Sequence, residues 1–413
     1  MNILMINHYA LAPDQPGGTR HFSLARALTA MGHSVVIAAS CFDHGTRTGA
    51  PPPGEKACRE TWDGVEFIRL ATPPYRGNGA GRLWNMLAFA RSVKRVLPAF
   101  LGSVPDVVVG SSPHPFGALA GLMLARKFGV PFVLEIRDVW PQSLVDVMGV
   151  SPMHPIIWVL GRIERVLYRE ADHIITLLPN VAKRVAERGG DPDRITWVPN
   201  GIDLDMVPAP SRPGDKETFT IMYAGSHGVT NALEVLVDAA GILQGRSLPK
   251  QLSLVLVGTG PEKPRLEARA RALGLCNLAF RPPVPKREIY KVLDSADAFW
   301  VSSADSDLWE HGISFNKLYD FMAMARPTLI GMRCSTNPIL LSGGGITVRP
   351  GSAEAMAEGV EWLLAAGPGG RQDMGDKARS FVEDHFDVRR LAPAFESALV
   401  EALSAGCGSG YAS

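Results

Sequence analysis

Short apolar runs alternate with amphipathic, helical patterns along almost the whole chain. Runs that are apolar at every position are typical of strands buried on both faces, and strands separated by helices form parallel sheets. In the first half, strands are predicted at 3–6, 34–39, 64–70, 106–110, 132–136, 173–177 and 195–198. Helices are predicted between them, at 22–31, 82–97, 116–128, 156–168 and 181–188.

The pattern starts again after a segment rich in proline and charge at 206–218. Strands are predicted at 219–224, 252–257, 278–280, 298–302, 327–331 and 346–348, and helices at 232–243, 263–273, 286–295, 353–364, 373–385 and 388–403. A chain of 413 residues is too long for one compact core. We therefore predict two doubly wound α/β domains, at 1–205 and 206–387, followed by a disordered tail at 404–413. Ligands are expected beyond the carboxyl ends of the strands, in a cleft between the domains.

Composition narrows the classes of function. The formal net charge is +1, which gives no strong field for a nucleic-acid partner, and we expect none. The five cysteines are scattered and form no CxxC, so neither a zinc site nor a disulfide framework is indicated. The first residues resemble a buried strand rather than a signal peptide, and no apolar run is long enough to span a bilayer.

The segment 312–330 carries the clearest candidate chemistry. A turn at Gly312 opens onto a predicted helix, whose N-terminal N–H groups and dipole suit a diphosphate. Lys317 falls in the first turn, where a cation opposes the dipole unless it faces a bound anion. Asp320 follows one turn later and is placed to accept hydrogen bonds from ribose hydroxyls. The alternative is an ordinary amphipathic helix that buries Leu318, Phe321 and Met322.

In each half of the chain, one loop follows the first strand and precedes a helix. The first contains Gly17, Gly18 and Arg20, and the second contains Gly225, His227, Gly228 and Asn231. Glycines allow a backbone to approach a ligand closely, and the basic side chains suit an anion. The first loop is not GxGxxG, so the dinucleotide-binding fingerprint is absent. A tight turn, and for His227 a plain loop residue, are the alternatives.

Charged and aromatic residues follow a predicted strand of the first half. Arg137 is placed to hold a phosphate, Asp138 to orient an acceptor hydroxyl, and Trp140 to contact the acceptor. An Arg137–Asp138 pair that only fixes the loop is the alternative. His114 follows the preceding strand and is a further candidate, although a histidine between two prolines is more often structural.

The segment 75–95 is basic, aromatic and amphipathic. Its candidate membrane residues are Arg82, Trp84, Arg91, Lys94 and Arg95. Such a helix can lie on an anionic lipid surface, and a core-packed helix with a solvated basic face is the alternative. Asp305 and Asp307 form an Asp-x-Asp pair, which is interpreted as a solvated acidic loop rather than a metal site.

Together these residues resemble the retaining GT-B glycosyltransferases of family 4, the group 1 glycosyltransferases. The resemblance covers nearly the whole chain and rests on Gly17-Gly18, Leu24-Ala25-x-x-Leu28, Gly32-His33-x-Val35, 171–174, 198–203, 257–261 and 312–330. It implies a GT-B fold with two Rossmann-like domains, in which 1–205 binds the acceptor and 206–387 binds the nucleotide-sugar. It also implies that the helix 388–403 crosses back to the first domain.

The donor motif departs from the Glu-x7-Glu pattern of this family. Gly312 stands at the first glutamate and Asp320 at the second, so the resemblance carries only the ribose role over, to Asp320. Glu310, or the backbone amides of Ile313 and Ser314, are candidates for the missing role. Ser226 and Asn231 stand where the family has a basic pair for the diphosphate. Lys317, Arg20 and His227 are then the candidate compensating groups, and Asn316 joins the donor site.

The departures resemble one branch of the family, the bacterial transferases of amino-deoxy sugars in O-antigen, lipopolysaccharide and capsule assembly. That branch implies a UDP-sugar donor, a polyprenyl-diphosphate-linked saccharide acceptor, and retention of configuration without metal or cofactor. It implies a cytoplasmic enzyme that is peripheral at the inner membrane face. Arg137, Asp138, His114 and Glu310 are the catalytic candidates. A UDP-sugar 2-epimerase and a non-catalytic assembly subunit remain as alternatives.

Overall fold

The computed structural model describes residues 1–408 except 78, 147, 148, 212, 213 and 215. The chain forms two compact units. The first contains Met1–Pro13, Thr19–Pro199 and the chain from Val388 onward, and the second contains Asp14–Gly18 and Asn200–Asp387. The sequence had placed 14–18 and 200–205 in the first domain. Each unit is built on a largely parallel sheet with helices, and the predicted α/β class is confirmed.

The sheet of the first unit has eight strands. They are β1 Asn2–Ile6, β2 Ser34–Ser40, β3 Ala57–Trp62, β4 Val65–Leu70, β5 Val107–Ser111, β6 Phe132–Ile136, β7 His173–Thr176 and β8 Ile195–Trp197. Their order is β3-β4-β2-β1-β5-β6-β7-β8, and all pairs are parallel except β3 with β4. The prediction missed β3 because its apolar positions are few: this edge strand buries only Ala57.

The helices of this unit connect its parallel strands. They are α1 Arg20–Ala30, α2 Ala80–Arg95, α3 Pro115–Phe128, α4 Gln142–Asp146, α5 Pro155–Glu170 and α6 Ala182–Glu187. The short α4 was not predicted. Helix α3 packs against both α2 and α5, so these three helices lie side by side on the sheet.

The sheet of the second unit has six strands, all of them parallel. They are β9 Thr218–Ala224, β10 Gln251–Val257, β11 Leu278–Arg281, β12 Ala298–Ser302, β13 Thr328–Gly331 and β14 Gly345–Val348, in the order β11-β10-β9-β12-β13-β14. Phe299 and Trp300 are successive residues of β12 and are fully buried in two separate apolar clusters. Successive side chains of a strand point to opposite faces, so both faces of this sheet are covered.

The helices of this unit complete those two layers. They are α7 Glu234–Gln244, α8 Lys263–Ala272, α9 Ile289–Leu293, α10 Asn316–Ala323, α11 Pro338–Ser342, α12 Ala353–Ala365 and α13 Gly367–His385. Helix α11 was not predicted, and α13 begins earlier than the pattern indicated. Predicted and observed elements otherwise agree closely.

The last helix, α14 at Val388–Gly408, belongs to the first unit. It packs against α1 and β7, and His33 Nε2 lies 2.7 Å from a carboxylate oxygen of Glu396. Residues 404–408, assigned to a disordered tail by the sequence, are helical; 409–413 lie outside the described residues. Within the described part of the chain, no helix is long and apolar enough to cross a membrane.

In each sheet there is one point where the chain connections run toward opposite edges of the sheet. Strand β1 has β2 on one side and β5 on the other, and β9 has β10 on one side and β12 on the other. The connections leave such a switch point in opposite directions, which opens a crevice at the carboxyl ends of the strands. Ligand sites are therefore expected near the ends of β1 and β5 and near the end of β9.

Candidate functional site

Two glycine-rich loops interlock at the end of β9 in the second unit. The N–H groups of Gly225 and His227 donate to the carbonyl oxygens of Val257 (3.0 Å) and Thr259 (2.8 Å). A Cβ atom at Gly258 would lie 1.9 Å from the carbonyl oxygen of Gly225. The sequence pattern included Gly258 without a role, and the structure shows that it permits this close backbone approach.

Lys317, the second residue of α10, reaches back to the loop after β9. Its Nζ donates to the hydroxyl of Tyr223 at 3.2 Å and to the Asn231 side-chain oxygen. A Cβ atom at Gly225 would lie 3.2 Å from Lys317 Cε, so the glycine makes room for the lysine. Lys317 forms no ion pair with any carboxylate of the described residues. Burial lowers the pKa of its amine to about 7.

Asp320 lies one turn further along α10. Its Oδ1 accepts hydrogen bonds from Lys286 Nζ and, at 3.0 Å, from the Tyr290 hydroxyl. Its Oδ2 makes no hydrogen bond within the described residues. The carboxylate is therefore fixed through one oxygen, while the other remains available to a ligand. Neither Lys286 nor Tyr290 was a candidate from the sequence.

The surroundings of His227 and the backbone conformation of Gly228 differ from those expected for phosphate contacts. The His227 side chain is fully buried and packs near the rings of Tyr223 and Phe280. Burial, with Lys263 and Lys317 nearby, lowers its pKa to about 4, so the ring is neutral near pH 7. A neutral, buried imidazole does not compensate for a missing cation. Gly228 has an ordinary φ of −99° and space for a Cβ atom, so its backbone conformation does not require glycine.

The backbone before α10 explains the first departure from the family motif. Gly312 has φ 103° and ψ 176°, a region that is essentially restricted to glycine. A glutamate at this position would be strained. The backbone N–H groups of Ile313 and Ser314 donate no hydrogen bond within the described part of the chain. Ser314 itself accepts a hydrogen bond from the Asn200 N–H at 2.8 Å, which fixes the loop.

The remaining candidates of this unit lie around that loop. Glu310 is exposed on a short 3-10 helix, Asp307–His311. Asp305 and Asp307 lie at the surface, 3.2 and 3.5 Å from Arg333 Nη2. Among the described residues, no group of three or more histidine, cysteine or acidic side chains could hold a metal ion.

The loop Asp14–Gly18 folds with this second unit. Gly17 has φ 135°, and a Cβ atom at Gly18 would lie 2.1 Å from Asn316 Nδ2. The predicted close approach of this loop is therefore an approach to the first residue of α10. The loop brings Gly18 and Asn316 together beside Lys317.

Arg20 is an exception among the predicted donor-binding residues. Its side chain is buried in the first unit, where Nε donates to Glu135 Oε1 and Nη2 to the Val198 carbonyl oxygen, both at 2.8 Å. Nη1 donates to the carbonyl oxygen of Pro199. The guanidinium is occupied by these acceptors, so its geometry supports a structural role rather than a contact with the donor.

Glu135, the fourth residue of β6, is the centre of a buried polar cluster that the sequence did not reveal as a site. Its Oε2 accepts from the Ser111 hydroxyl and lies 2.8 Å from His21 Nε2. Burial alone would raise the pKa of this carboxyl, but His21 and Arg20 hold it well below its usual value. Glu135 is therefore a charged group near the carboxyl end of β6, in contact with Ser111 at the end of β5 and with His21 on α1.

Arg137 follows the end of β6 and lies beside this cluster. Its Nη1 is 3.2 Å from His21 Nδ1. It forms no ion pair within the described residues, so the loop-fixing pair with Asp138, which was the alternative interpretation, is not formed. Asp138 is exposed, and Trp140 is half-buried.

His114 is a structural residue rather than an exposed catalytic group. It is fully buried, and its Nδ1 accepts from the Gly117 N–H at the start of α3. Its Nε2 lies 2.6 Å from His8 Nδ1. Burial and the charge of Arg82 lower the pKa of His114 to about 3. The structural alternative accounts for this residue, because its ring is enclosed and its two nitrogens have partners.

The predicted membrane residues of helix α2 differ in their exposure and fall into two groups. Trp84 is 64% exposed, and Arg91, Lys94 and Arg95 are also exposed. Their spacing places them on one face of the helix. Arg82 is half-buried and lies over the ring of Tyr9 at 5.9 Å, so it does not belong to this face.

The neighbouring helices extend the basic surface, which the sequence did not predict. Trp158 on α5 is 63% exposed, with the Arg162 guanidinium 4.3 Å from the centre of its ring. Further exposed cations are Arg126 and Lys127 on α3, and Arg165 and Arg169 on α5. One exposed carboxylate, Glu170, lies among them and pairs with Arg126. We call the exposed side of α2, α3 and α5 the three-helix face.

Comparison with protein families identifies both halves of the chain. Residues 17–201 match the model described as "Glycosyl transferase 4-like domain", and residues 218–366 match the model described as "Glycosyl transferases group 1". The first half of the chain thus carries a glycosyl transferase 4-like domain, and the second half carries a glycosyl transferases group 1 domain. The polar cluster around Glu135 lies in the first of these domains, and Lys317 and Asp320 lie in the second.

Two relatives illustrate the range of similar proteins. The putative colanic acid biosynthesis glycosyl transferase WcaI of Escherichia coli (strain K12) is 25% identical over 308 residues, which cover 68% of this chain and 72% of the relative. D-inositol 3-phosphate glycosyltransferase 2 of Catenulispora acidiphila is 25% identical over 405 residues, which cover 93% of this chain and 84% of the relative.

Solved structures of this kind share the whole fold. Sucrose-phosphate synthase from Thermosynechococcus elongatus superimposes with a TM-score of 0.75 at 18% identity, covering 96% of this chain and 97% of the other. Anabaena Alr3699/HepE, solved in complex with UDP and glucose, gives a TM-score of 0.67 at 14% identity, covering 97% and 99%. The GT-B fold that the resemblance implied is confirmed.

Proposed function

We propose that this glycosyltransferase moves a sugar from a UDP-sugar to a hydroxyl of a lipid-linked saccharide, in the synthesis of a bacterial surface polysaccharide. The observation that carries the proposal is Lys317, an amine without a carboxylate partner among the described residues, one turn from the half-occupied carboxylate of Asp320. A diphosphate would supply the missing negative charge, and a ribose the missing donors to Asp320 Oδ2.

Electrostatic stabilisation of the leaving diphosphate is the main task of this site. Negative charge grows on the diphosphate as the bond to the sugar breaks, and a preorganised cation opposes that growth. Lys317 is held in place by Tyr223 and Asn231, so little reorganisation is needed. The N–H groups of Ile313 and Ser314 are the candidate donors toward the sugar. We propose a retaining reaction without a metal.

The similar proteins support the donor and the setting of this proposal. Anabaena Alr3699/HepE is solved with UDP and glucose, and the E. coli relative is described as a colanic acid biosynthesis glycosyl transferase. An amino-deoxy sugar is the proposed group transferred, by resemblance to that branch of the family. On the acceptor side, Arg137, Asp138 and Trp140 follow β6 in the 4-like domain.

The three-helix face supports a membrane-associated acceptor. It carries three exposed cations on each of α2 and α5 and two on α3, while the whole chain has a net charge of +1. Exposed Trp84 and Trp158 suit the interface between lipid and water. We propose that this face rests on the anionic inner surface of the cytoplasmic membrane, where a polyprenyl-diphosphate-linked acceptor would be found.

A binding screen tests the donor first. The chain is titrated calorimetrically with UDP, GDP, dTDP, CMP and NAD, each without metal, alongside Asp320→Ala. Selective binding of UDP that is lost in Asp320→Ala supports the proposed site and justifies a screen of UDP-sugars with lipid-linked acceptors. Binding that Asp320→Ala leaves unchanged removes the ribose role.

Other outcomes point to the alternatives. Conversion of a UDP-sugar without any acceptor would indicate a 2-epimerase. Failure to bind any of the nucleotides would indicate a non-catalytic subunit, in which Gly312, Ser226 and Asn231 mark a site that has lost its function.

A further inference from the structure

His21 lies between a carboxylate and a guanidinium in the 4-like domain. Its Nε2 is 2.8 Å from Glu135 Oε2, and its Nδ1 is 3.0 Å from Asn7 Nδ2 and 3.2 Å from Arg137 Nη1. Asn7 Oδ1 accepts from the Tyr9 N–H, so the amide NH₂ faces the ring. Both neighbours of Nδ1 are therefore donors. The ring satisfies all three contacts only with its proton on Nε2.

Arg137 forms no ion pair within the described residues, although the charges of Glu135 and Asp138 are near enough to interact with its guanidinium. Glu135 accepts hydrogen bonds from Arg20, Ser111 and His21, and its negative charge is balanced by Arg20. A guanidinium has five N–H donors, and the Arg137 side chain uses one of them, on the neutral His21 ring, within the described residues. A permanently charged group with donors to spare is thus held at the end of β6, next to the switch point of the sheet.

We propose that Glu135 and His21 are positioning residues for Arg137, and that Arg137 binds a phosphate oxygen of the acceptor. The inference rests on the proposed function, which supplies an acceptor that carries a diphosphate. Glu135 fixes the His21 proton on Nε2, and the bare Nδ1 then fixes one edge of the guanidinium. His21 acts through Arg137 and touches no substrate. Without this chain of contacts, Arg137 would lose side-chain entropy only when the anion binds, which weakens binding.

The tautomer of His21 tests the first half of the proposal on the unmodified protein. The full-length chain is labelled with ¹⁵N-histidine, and the His21 ring signals are assigned by their absence in His21→Gln. We expect the neutral Nε2–H form, with an Nδ1 signal that moves in Arg137→Ala. An Nδ1–H form, or an Nδ1 signal that is unchanged in Arg137→Ala, would overturn the proposal, and neither result requires His21→Phe or a Glu135 variant to fold.

Anion binding tests the second half. Inorganic pyrophosphate is titrated at low salt into Lys317→Met, which removes the proposed donor cation of the other unit. Arg137→Ala in this background should weaken binding by at least about tenfold, as expected for loss of charged hydrogen bonds. His21→Phe should weaken it comparably. His21→Gln should retain most of it, because an amide can donate to Glu135 and accept from Arg137. The double variant His21→Phe/Arg137→Ala should bind no worse than Arg137→Ala alone, since both act through one group.

Three results would contradict this assignment: no pyrophosphate binding in Lys317→Met, unchanged binding in His21→Phe, or additive losses in the double variant. Each leaves the donor site untouched. UDP binding by the unmodified chain reports on the proposed function separately, so the failure of one does not imply the failure of the other.

Discussion

The two units each hold a cation near the carboxyl ends of a parallel sheet, but they hold it differently. Arg137 follows β6 and contacts a neutral histidine, while the neighbouring carboxylate is balanced by Arg20. Lys317 begins α10 and contacts a hydroxyl and an amide. A guanidinium stays charged at every relevant pH, whereas burial lowers the pKa of Lys317 to about 7.

This difference indicates when each charge is present. The first unit offers a permanent positive charge before any ligand arrives. In the second unit, part of the lysine population is neutral near pH 7, and a diphosphate would draw a proton onto it as it binds. The charge on the donor side would then be strongest when the donor is bound.

Removing the two cations in turn is the strongest test of this division. Lys317→Met should weaken UDP binding by about 1.5–3 kcal/mol, the range for hydrogen bonds to a charged group. Arg137→Ala should leave UDP binding unchanged. Lys377→Met is a matched control, because Lys377 is an exposed lysine of the same unit paired with Asp373. Calorimetric titration with UDP measures the affinity of all three variants. Equal losses of affinity for Lys317→Met and Arg137→Ala would contradict the division of roles between the two cations.

Substitutions at Gly312 test whether the backbone of the donor loop in the second unit requires a glycine. Gly312→Ala and Gly312→Glu should each lower the free energy of unfolding by about 1–3 kcal/mol. The reason is that the φ of 103° at position 312 is strained for any residue with a side chain. Gly228→Ala should cost little, because Gly228 has an ordinary φ and a Cβ atom there would make only ordinary contacts, the nearest at 3.5 Å from Ser226 Oγ. Urea unfolding measures stability. If Gly312→Glu binds UDP-glucose more tightly than the unmodified chain, the chain has lost a carboxylate contact with the donor. It has then not replaced that contact by other groups of the loop.

The pH dependence of donor binding follows from the lowered pKa of Lys317. A bound diphosphate favours the charged amine and raises its pKa, so affinity should be highest below about 7 and fall as the pH rises above it. The loss should approach about tenfold, or 1.4 kcal/mol, per pH unit until the raised pKa is reached. UDP-glucose is the ligand of choice because it has no terminal phosphate to titrate in this range.

Proton uptake gives a second measurement of the same effect. Calorimetry in buffers of different ionisation enthalpy should show uptake of a proton above pH 7 in the unmodified chain and none in Lys317→Arg. Affinity that is flat with pH in both would mean that Lys317 keeps its charge in the free protein.

The smallest predicted effect concerns the surface of the first unit. Arg91→Gln should weaken binding to vesicles that contain anionic phosphatidylglycerol by about 1 kcal/mol, the usual contribution of one basic residue near such a surface. Arg82→Gln provides the control on the same helix, because Arg82 lies over the Tyr9 ring and away from the exposed face. Vesicle sedimentation at two salt concentrations measures both. Equal losses would show that the three-helix face is not the contact surface.

Local patterns carried most of what could be predicted. The strands and helices follow from runs and periods of apolar residues, and Lys317 and Asp320 lie close together because they share one helix. The edge strand β3 escaped because a solvated strand leaves little apolar signal.

Contacts between distant parts of the chain account for the rest. The contacts of Arg20 could not be predicted, because its partner, Glu135, lies 115 residues away in the sequence. His114 could not be separated from a catalytic histidine until His8 was found beside its ring. Lys286 and Tyr290 reach Asp320 from 34 and 30 residues earlier. The sequence shows the types of such residues but not their pairing.

The return of α14 to the first unit has a consequence for synthesis on the ribosome. The first unit needs residues from both ends of the chain, and the whole second unit lies between them. Ala392, Phe395 and Leu399 of α14 are buried. Until they emerge, the apolar surface that they cover stays open to water while the second unit can already fold. A premature stop just before residue 388 would therefore release an incomplete, aggregation-prone first unit rather than a shortened enzyme.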